Sequence, residues 1–307
     1  MRVGALLAAI LSIVPTAWPA SGGAAGSVQW PQSIEIAQGE LVEVNIYGAD
    51  LTAVEGRWSH EKIAFYADGN GSFSALLGAD VEAKPTLSKL AVTVVSQSGQ
   101  EQQSELPVKI KAKKFRTESF SVPPSFDQRT AEVLEAIGRE QAAFKRAFAV
   151  SAAERFWEAP FVRPVPHDAS ASSFGSRRII NGAPRAPHSG TDLSAPLGAE
   201  VAAANHGRVV LVGDFFFAGG SVVLDHGGGL FTMYFHLSEF KVEEGAMVKK
   251  AQVVGLAGET GRVTGPHLHW GARLANARIE PFELLKKISN RGDRASGPKA
   301  AAIKTEK

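Results

Sequence analysis

Between Val28 and about Lys114, apolar residues recur at every second position: Val42, Val44 and Ile46, then Leu90, Val92 and Val94, then Val108 and Ile110. A period of two places those side chains on one face of a strand. Gly39, Gly48, Gly56, the Asp68-Gly69-Asn70-Gly71 cluster and Gly99 punctuate the runs as turns. The pattern predicts a mainly β chain that opens with a small antiparallel sandwich of immunoglobulin-like type over 28–115, with Trp58 and Phe65 in its core. The period then changes. Pro123-Pro124 ends the strands, and Ser125-Phe126-Asp127-Gln128 reads as a capping box, with Ser125 accepting from the Gln128 amide and Gln128 reaching back. Val133, Ile137, Phe144 and Phe148 follow at helical spacing, which predicts a connecting helix over 125–150 with one apolar stripe for packing. After Phe161 the strands return. Val209 to Val212 and Val222 to Leu224 read as buried strands, and Phe215-Phe216-Phe217 before Ala218-Gly219-Gly220 reads as a hairpin tip or groove wall. Beyond about Ile288 the chain turns polar and rich in Gly, Lys and Ala, which predicts a disordered tail over 290–307.

The N-terminus has its own pattern. Met1-Arg2 precedes an apolar run from Val3 to Val14, then Pro15 and a zone of small residues from Ala17 to Ala25. That order predicts a signal peptide over 1–25 and therefore export, to a periplasm, cell envelope or extracellular space. The apolar run is too short for a permanent span, which takes about 20 residues. Trp18 interrupts the most obvious cleavage site, so the cut is expected between about residues 18 and 28.

Composition narrows the chemistry. Hydrophobic residues make up 44% and charged residues 21% of the 307, enough apolar content for a buried core in about two domains. A formal net charge of +2 gives no basis for a nucleic-acid partner, while a pI near 8.8 suits loose attraction to an anionic wall polymer. With no cysteine, the chain has neither disulfides, thiolate ligands nor a sulfur nucleophile. Any metal must therefore sit on histidine and carboxylate.

Three stretches offer such ligands: His188-Ser189-Gly190-Thr191-Asp192, the lone His236 in Tyr234-Phe235-His236-Leu237-Ser238, and His267-Leu268-His269. A hydrolytic zinc site needs three protein ligands and one open position for water, and two histidines with a carboxylate meet that need. In a strand, residues two apart share a face about 7 Å apart, so His267 and His269 can enter one cleft, one on the metal and the other facing its water. His188 and Asp192 would stand about 13 Å apart in a straight strand, so a bend is required. Gly190 lies midway. The remaining histidines, His60, His167, His206 and His226, read as surface or structural residues.

Together with Phe174-Gly175-Ser176-Arg177 upstream, these stretches resemble the lysostaphin-type (LytM-like) zinc endopeptidases that cut peptidoglycan peptides. The resemblance covers residues 160–285. It implies a C-terminal antiparallel β-sheet catalytic domain, zinc held by His188, Asp192 and His269, catalysis by His236 and His267, and peptidoglycan peptides as substrate. One departure is Trp270-Gly271, where the family often has an aromatic residue followed by Glu. A LytM-like domain that has lost catalysis, and binds wall or activates a separate amidase, is the alternative; ligand loss is its usual mark, and every ligand is present here. The residues leave open whether a D-Ala to diamino acid cross-link or a glycine bridge is cut, and whether the N-terminal sandwich is a spacer, a wall binder or a lid.

Overall fold

The computed structural model describes residues 27–69, 71–121, 130–166 and 172–288. The segment expected to be a signal peptide, the capping box at Ser125 to Gln128, His167 and the tail over 290–307 lie outside the described residues.

The alternating N-terminal runs form β1 (Ile34–Ala37), β2 (Leu41–Tyr47), β3 (Leu51–Trp58), β4 (Glu61–Ala64), β5 (Tyr66–Ala67), β6 (Ser72–Gly78), β7 (Thr86–Ser96) and β8 (Glu101–Lys111). They make two sheets, ordered β1-β8-β7-β3-β4 and β2-β6-β5. Val44 and Ile46 of one sheet meet Leu90, Val92, Val94, Leu106 and Val108 of the other in a single core, each exposed by 2% or less. Two details differ from expectation. β1 pairs parallel with β8, so the sandwich is not wholly antiparallel; the chain leaves β1 for the other sheet at Gly39, and no hairpin dictates the direction of β1 beside its neighbour. Trp58 and Phe65 are only partly buried at the end of the core. The Trp58 indole N–H donates to Ser88 Oγ at 2.9 Å, which holds the ring at an edge where its polar atom has a partner.

β9 (Thr117–Phe120) leads to α1 (Ala131–Ala149). The described helix begins at Ala131, where Thr130 supplies the cap: its backbone is extended and its hydroxyl accepts from Val133 N at 3.3 Å. The most buried positions of its stripe are Ala143 and Ala147, with Phe144 and Phe148 partly buried beside them.

The remaining elements are β10 (Arg177–Ile180), β11 (Ala183–Pro184), β12 (Gly190–Leu193), β13 (Glu200–Ala202), β14 (Gly207–Phe215), β15 (Gly219–Asp225), β16 (Leu230–Phe240), β17 (Met247–Val248), β18 (Val253–Ala257), β19 (Leu268–Leu274), β20 (Ala277–Ile279) and α2 (Pro281–Lys287). Nine of these strands form an antiparallel sheet along the path β12-β19-β16-β15-β14-β17, with β13, β18 and β20 attached. One face carries a core of Leu193, Val222, Leu224, Tyr234, Leu268 and Trp270. The other packs Leu211, Val223, Phe231 and Met233 against Ala143 and Ala147 of α1. Cover on both faces is why β15 is buried at every position instead of alternating. Gly271, the departure noted above, lies against Met233, where a Cβ would come 2.7 Å from Cε and the methionine end would have to shift to admit a side chain.

The sandwich docks on this sheet through β2 and β6. Leu41 belongs to the sheet's core, Leu76 packs against it, and a Cβ on Gly78 would stand 3.2 to 3.3 Å from Ile279 and Leu274. Asp80 accepts from Arg278 Nη2 at 2.6 Å and from Arg278 Nε and N at 2.9 Å each. Burial pushes the Asp80 carboxyl up, but these bonds outweigh it and hold it below the usual carboxylate range. The seam meets β19 at Leu274, about 17 Å along the strand from His269. A second contact lies at Gly39, where a Cβ would stand 2.4 Å from the Phe174 ring.

Candidate metal centre

The end of β19 and the start of β12 pair so that Asp192 lies opposite His269. His188 precedes β12 and joins them. Its Nε2 lies 3.0 Å from His269 Nδ1 and 3.2 Å from Asp192 Oδ1, and His269 Nδ1 lies 3.0 Å from the same oxygen. Four bonds of about 2.1 Å in tetrahedral geometry separate ligand atoms by about 3.4 Å, so this triangle is close to the size one zinc ion requires. The donor set agrees. His188 Nδ1 sits 3.1 Å from the Ser173 carbonyl, which can only accept, so Nδ1 carries the proton and Nε2 turns a lone pair toward the other two atoms. Burial pushes the Asp192 carboxyl up, yet its contacts with the His188 and His269 rings overcome it and hold the group well below the carboxylate range. Burial likewise pushes the His269 imidazole down, opposed by its bond to Asp192. A carboxylate flanked by two imidazole nitrogens is a donor set that fits a divalent cation.

The required bend comes from how His188 is held. Its N–H donates to Ser176 O at 3.0 Å and its carbonyl accepts from Gly175 N at 2.9 Å, so the Phe-Gly-x-Arg turn carries it. Gly175 sits at φ 73, where a Cβ would meet the Phe115 ring at 2.2 Å. Gly190 serves close approach: a Cβ there would lie 2.5 Å from His269 Nε2 and 2.6 Å from Trp270 O.

His236 and His267 stand beside this triangle with ring centroids 4.8 Å apart. His236 Nδ1 is 3.0 Å from Thr260 O and His267 Nδ1 is 2.9 Å from Gly265 O, so each ring keeps Nε2 for the cleft. His267 Nε2 is 3.7 Å from Asp192 Oδ1. His267 and His269 share the cleft without sharing a regular strand, since His267 precedes β19 and bridges to Gly258 instead. Burial pushes His236 down to about 4, and the neighbouring His269 and His267 push it the same way, so its ring is neutral near pH 7.

The structure thus brings together all five residues expected from the sequence. His226, fully buried, sits elsewhere, with Nδ1 2.7 Å from His206 O and Nε2 2.7 Å from Thr232 Oγ1. His206 contacts Glu158 at 2.9 Å, and His60 is exposed. Residues that the sequence did not single out complete the site. Ser173 Oγ accepts from Asp192 N at 3.0 Å, and Arg178 Nη2 reaches the outer oxygen, Asp192 Oδ2, at 3.3 Å. Both flank the Phe-Gly-x-Arg stretch, the one signal that could have found them.

The Peptidase family M23 model matches residues 186–281, which contain all five residues. A peptidoglycan DD-endopeptidase of Vibrio cholerae, ShyA, is 45% identical over 101 residues, which are 33% of this chain and 24% of that protein. A DD-carboxypeptidase/endopeptidase of Neisseria meningitidis, Mpg, is 39% identical over 97 residues, 32% of this chain and 22% of that protein. The match therefore spans about a quarter of the length of these curated relatives. A Pseudomonas aeruginosa protein whose crystal structure carries a provisional peptidase M23 assignment aligns over 82% of this chain and 95% of its own, at 26% identity and a TM-score of 0.62. That likeness extends well beyond the cleft, and with the match over 186–281 it establishes that this chain carries a Peptidase family M23 domain.

Proposed function

We propose that this protein is an exported zinc metalloendopeptidase that hydrolyses peptide cross-links of peptidoglycan, with His188, Asp192 and His269 holding the metal and His236 and His267 handling protons. The observation that carries the reading is the convergence of three metal-ligating atoms within 3.2 Å of one another, with two further imidazole nitrogens facing them. Peptidoglycan as substrate is supported by the relatives named above. Their DD-endopeptidase activity favours the direct D-Ala to diamino acid cross-link over a glycine bridge. Export is supported by the order of charge, apolar run and small residues at the N-terminus. No described helix is long and apolar enough to cross a membrane.

A divalent ion in this triangle supplies Lewis acidity to the scissile carbonyl and lowers the pKa of a water toward about 7. The chain's own residues manage the rest. His267, its Nδ1 engaged with Gly265 O, accepts the proton of the attacking water at Nε2. His236 Nε2 faces the same space from β16, and as a neutral ring it accepts a hydrogen bond from the attacking water and orients it for that transfer. The C–N bond then breaks, and the departing amine takes the proton that His267 had accepted from the water. Arg178 holds the outer oxygen of Asp192, leaving Oδ1 aimed at the metal position.

The test pairs zinc stoichiometry with cleavage of intact sacculi. Asp192→Ala and His269→Ala should lose zinc and activity together. His267→Ala should keep zinc and lose about 10²- to 10⁴-fold in rate. Wild-type protein that binds zinc but releases no peptide would favour the non-catalytic reading, and zinc retained in both ligand variants would overturn the ligand assignment.

A further inference from the structure

We propose that Glu140, on the connecting helix and outside the M23 match, is a positioning residue for His236: it clamps the turn whose carbonyl holds the His236 backbone. The proposal rests on the reading of His236 given above.

α1 lies on the face of the sheet that carries the cleft. Phe144 packs on Phe215 and Phe235 at centroid distances of 5.1 and 5.3 Å, and Phe235 in turn stacks on His269 at 5.3 Å with the rings 4° from parallel. One turn earlier, Glu140 reaches the tip between β14 and β15. Its Oε2 accepts from Phe217 N at 2.9 Å, and the amides of Phe216 and Ala218 also donate to this carboxylate. Three consecutive amides converging on one anion form a nest, which fixes the backbone of the tip.

The tip passes that restraint to the cleft. Ala218 O accepts from His236 N at 2.9 Å, and Phe217 O accepts from Arg262 N at 3.1 Å. Thr260 Oγ1 accepts from Gly220 N and donates to Leu237 O, each at 2.8 Å, while Thr260 O receives His236 Nδ1. His236 needs this support. It sits at φ 65, and the β15–β16 register shifts beside it between Gly220 and Val222. A non-glycine residue in that region is strained and persists only where its surroundings over-determine it. Glu140 anchors one side of the frame and Thr260 the other. A carboxylate half-buried on a helix, whose pKa burial raises, has no packing advantage over an apolar residue; holding amides is what it does here.

The test uses the zinc-loaded full chain and a defined cross-linked muropeptide dimer. Rates are compared for wild type, Glu140→Ala, Glu140→Gln, His236→Ala and the two double variants. Glu140→Ala should lower kcat about 10- to 100-fold with KM changed by less than about twofold, since misplacing a reacting group by about 1 Å costs on that order. Zinc content should be unchanged. Glu140→Gln keeps one acceptor oxygen and should recover most of the rate. In the His236→Ala background neither Glu140 substitution should lower the residual rate further, because the pair acts as one unit. Should Glu140→Ala not fold, the Gln variant and its double carry the same comparison, with a severalfold loss only while His236 is present. A wild-type kcat in the Glu140 variants beside an inactive His236→Ala would overturn this proposal alone, as would equal losses with and without His236. A fully active His236→Ala would overturn both this proposal and the proton-handling role.

Discussion

β7 of the sandwich and β16 of the catalytic sheet are both eleven residues long, but they use that length differently. β7 pairs with β8 over ten consecutive positions without a break, and Leu90, Val92 and Val94 enter the core in turn. β16 shifts register against both β15 and β18, and its pairing with β19 stops at Phe235–His269, one residue before His236. An unbroken ladder satisfies the backbone and directs side chains alternately in and out. A broken one turns a single residue out of alternation and lets it address a cleft. Both strands bury core side chains, Leu90 and Val92 in one and Tyr234 and Leu237 in the other, but only β16 also turns a histidine toward the cleft.

Three experiments bear on that division. Leu90→Ala removes a side chain exposed by 0% from the regular core and should cost about 3 kcal/mol, read as a lower urea midpoint. The folded, zinc-loaded variant should keep its kcat, and a kcat loss matching the stability loss would erase the contrast between the two strands. Gly190→Ala reverses the pattern. Its methyl would press on His269 and should weaken zinc binding about 10- to 100-fold while moving the urea midpoint of the sandwich little; competition with a chelator measures it. The smallest effect concerns His226, which burial pushes down to about 4 from the ordinary imidazole value of about 6.5. The unfolded chain therefore binds the proton first as pH falls, and stability present above about pH 6.5 is lost toward pH 4. Between pH 7 and about 5.5 the loss from this group is about 1 kcal/mol, and a His226→Gln variant should show a shallower dependence by that amount. Equal slopes in the two proteins would mean that His226 charges without hindrance in the fold.

The same contrast explains what the sequence could tell. Val44, Ile46, Leu90, Val92, Val94 and Val108 were legible because alternation is local. The clustering of the five candidate residues was legible because their spacing resembles a known pattern, and Gly190 because a bend had to lie between His188 and Asp192. The left-handed backbone of His236 was not, since nothing within Tyr234 to Ser238 specifies it; the cause lies at Ala218 and Thr260. Glu140 meets Phe217 across 77 residues of sequence, a distance at which periodicity says nothing. The Thr130 cap was not legible because a lone threonine carries a weaker local signature than a capping box.

The parallel pairing of β9 with β10, from Arg177–Thr117 to Ile180–Phe120, has a mechanical consequence. It joins the chain leaving the sandwich to the chain entering the catalytic sheet, with α1 on the loop between them. The sandwich is thereby fastened along two separate lines, this one and the Asp80–Arg278 seam. A body pinned along one line can swing about it, whereas a body pinned along two cannot. Opening and closing of the cleft is then left to movements the size of a turn, such as the tip at Phe216 and Phe217, and not to rotation of a whole domain.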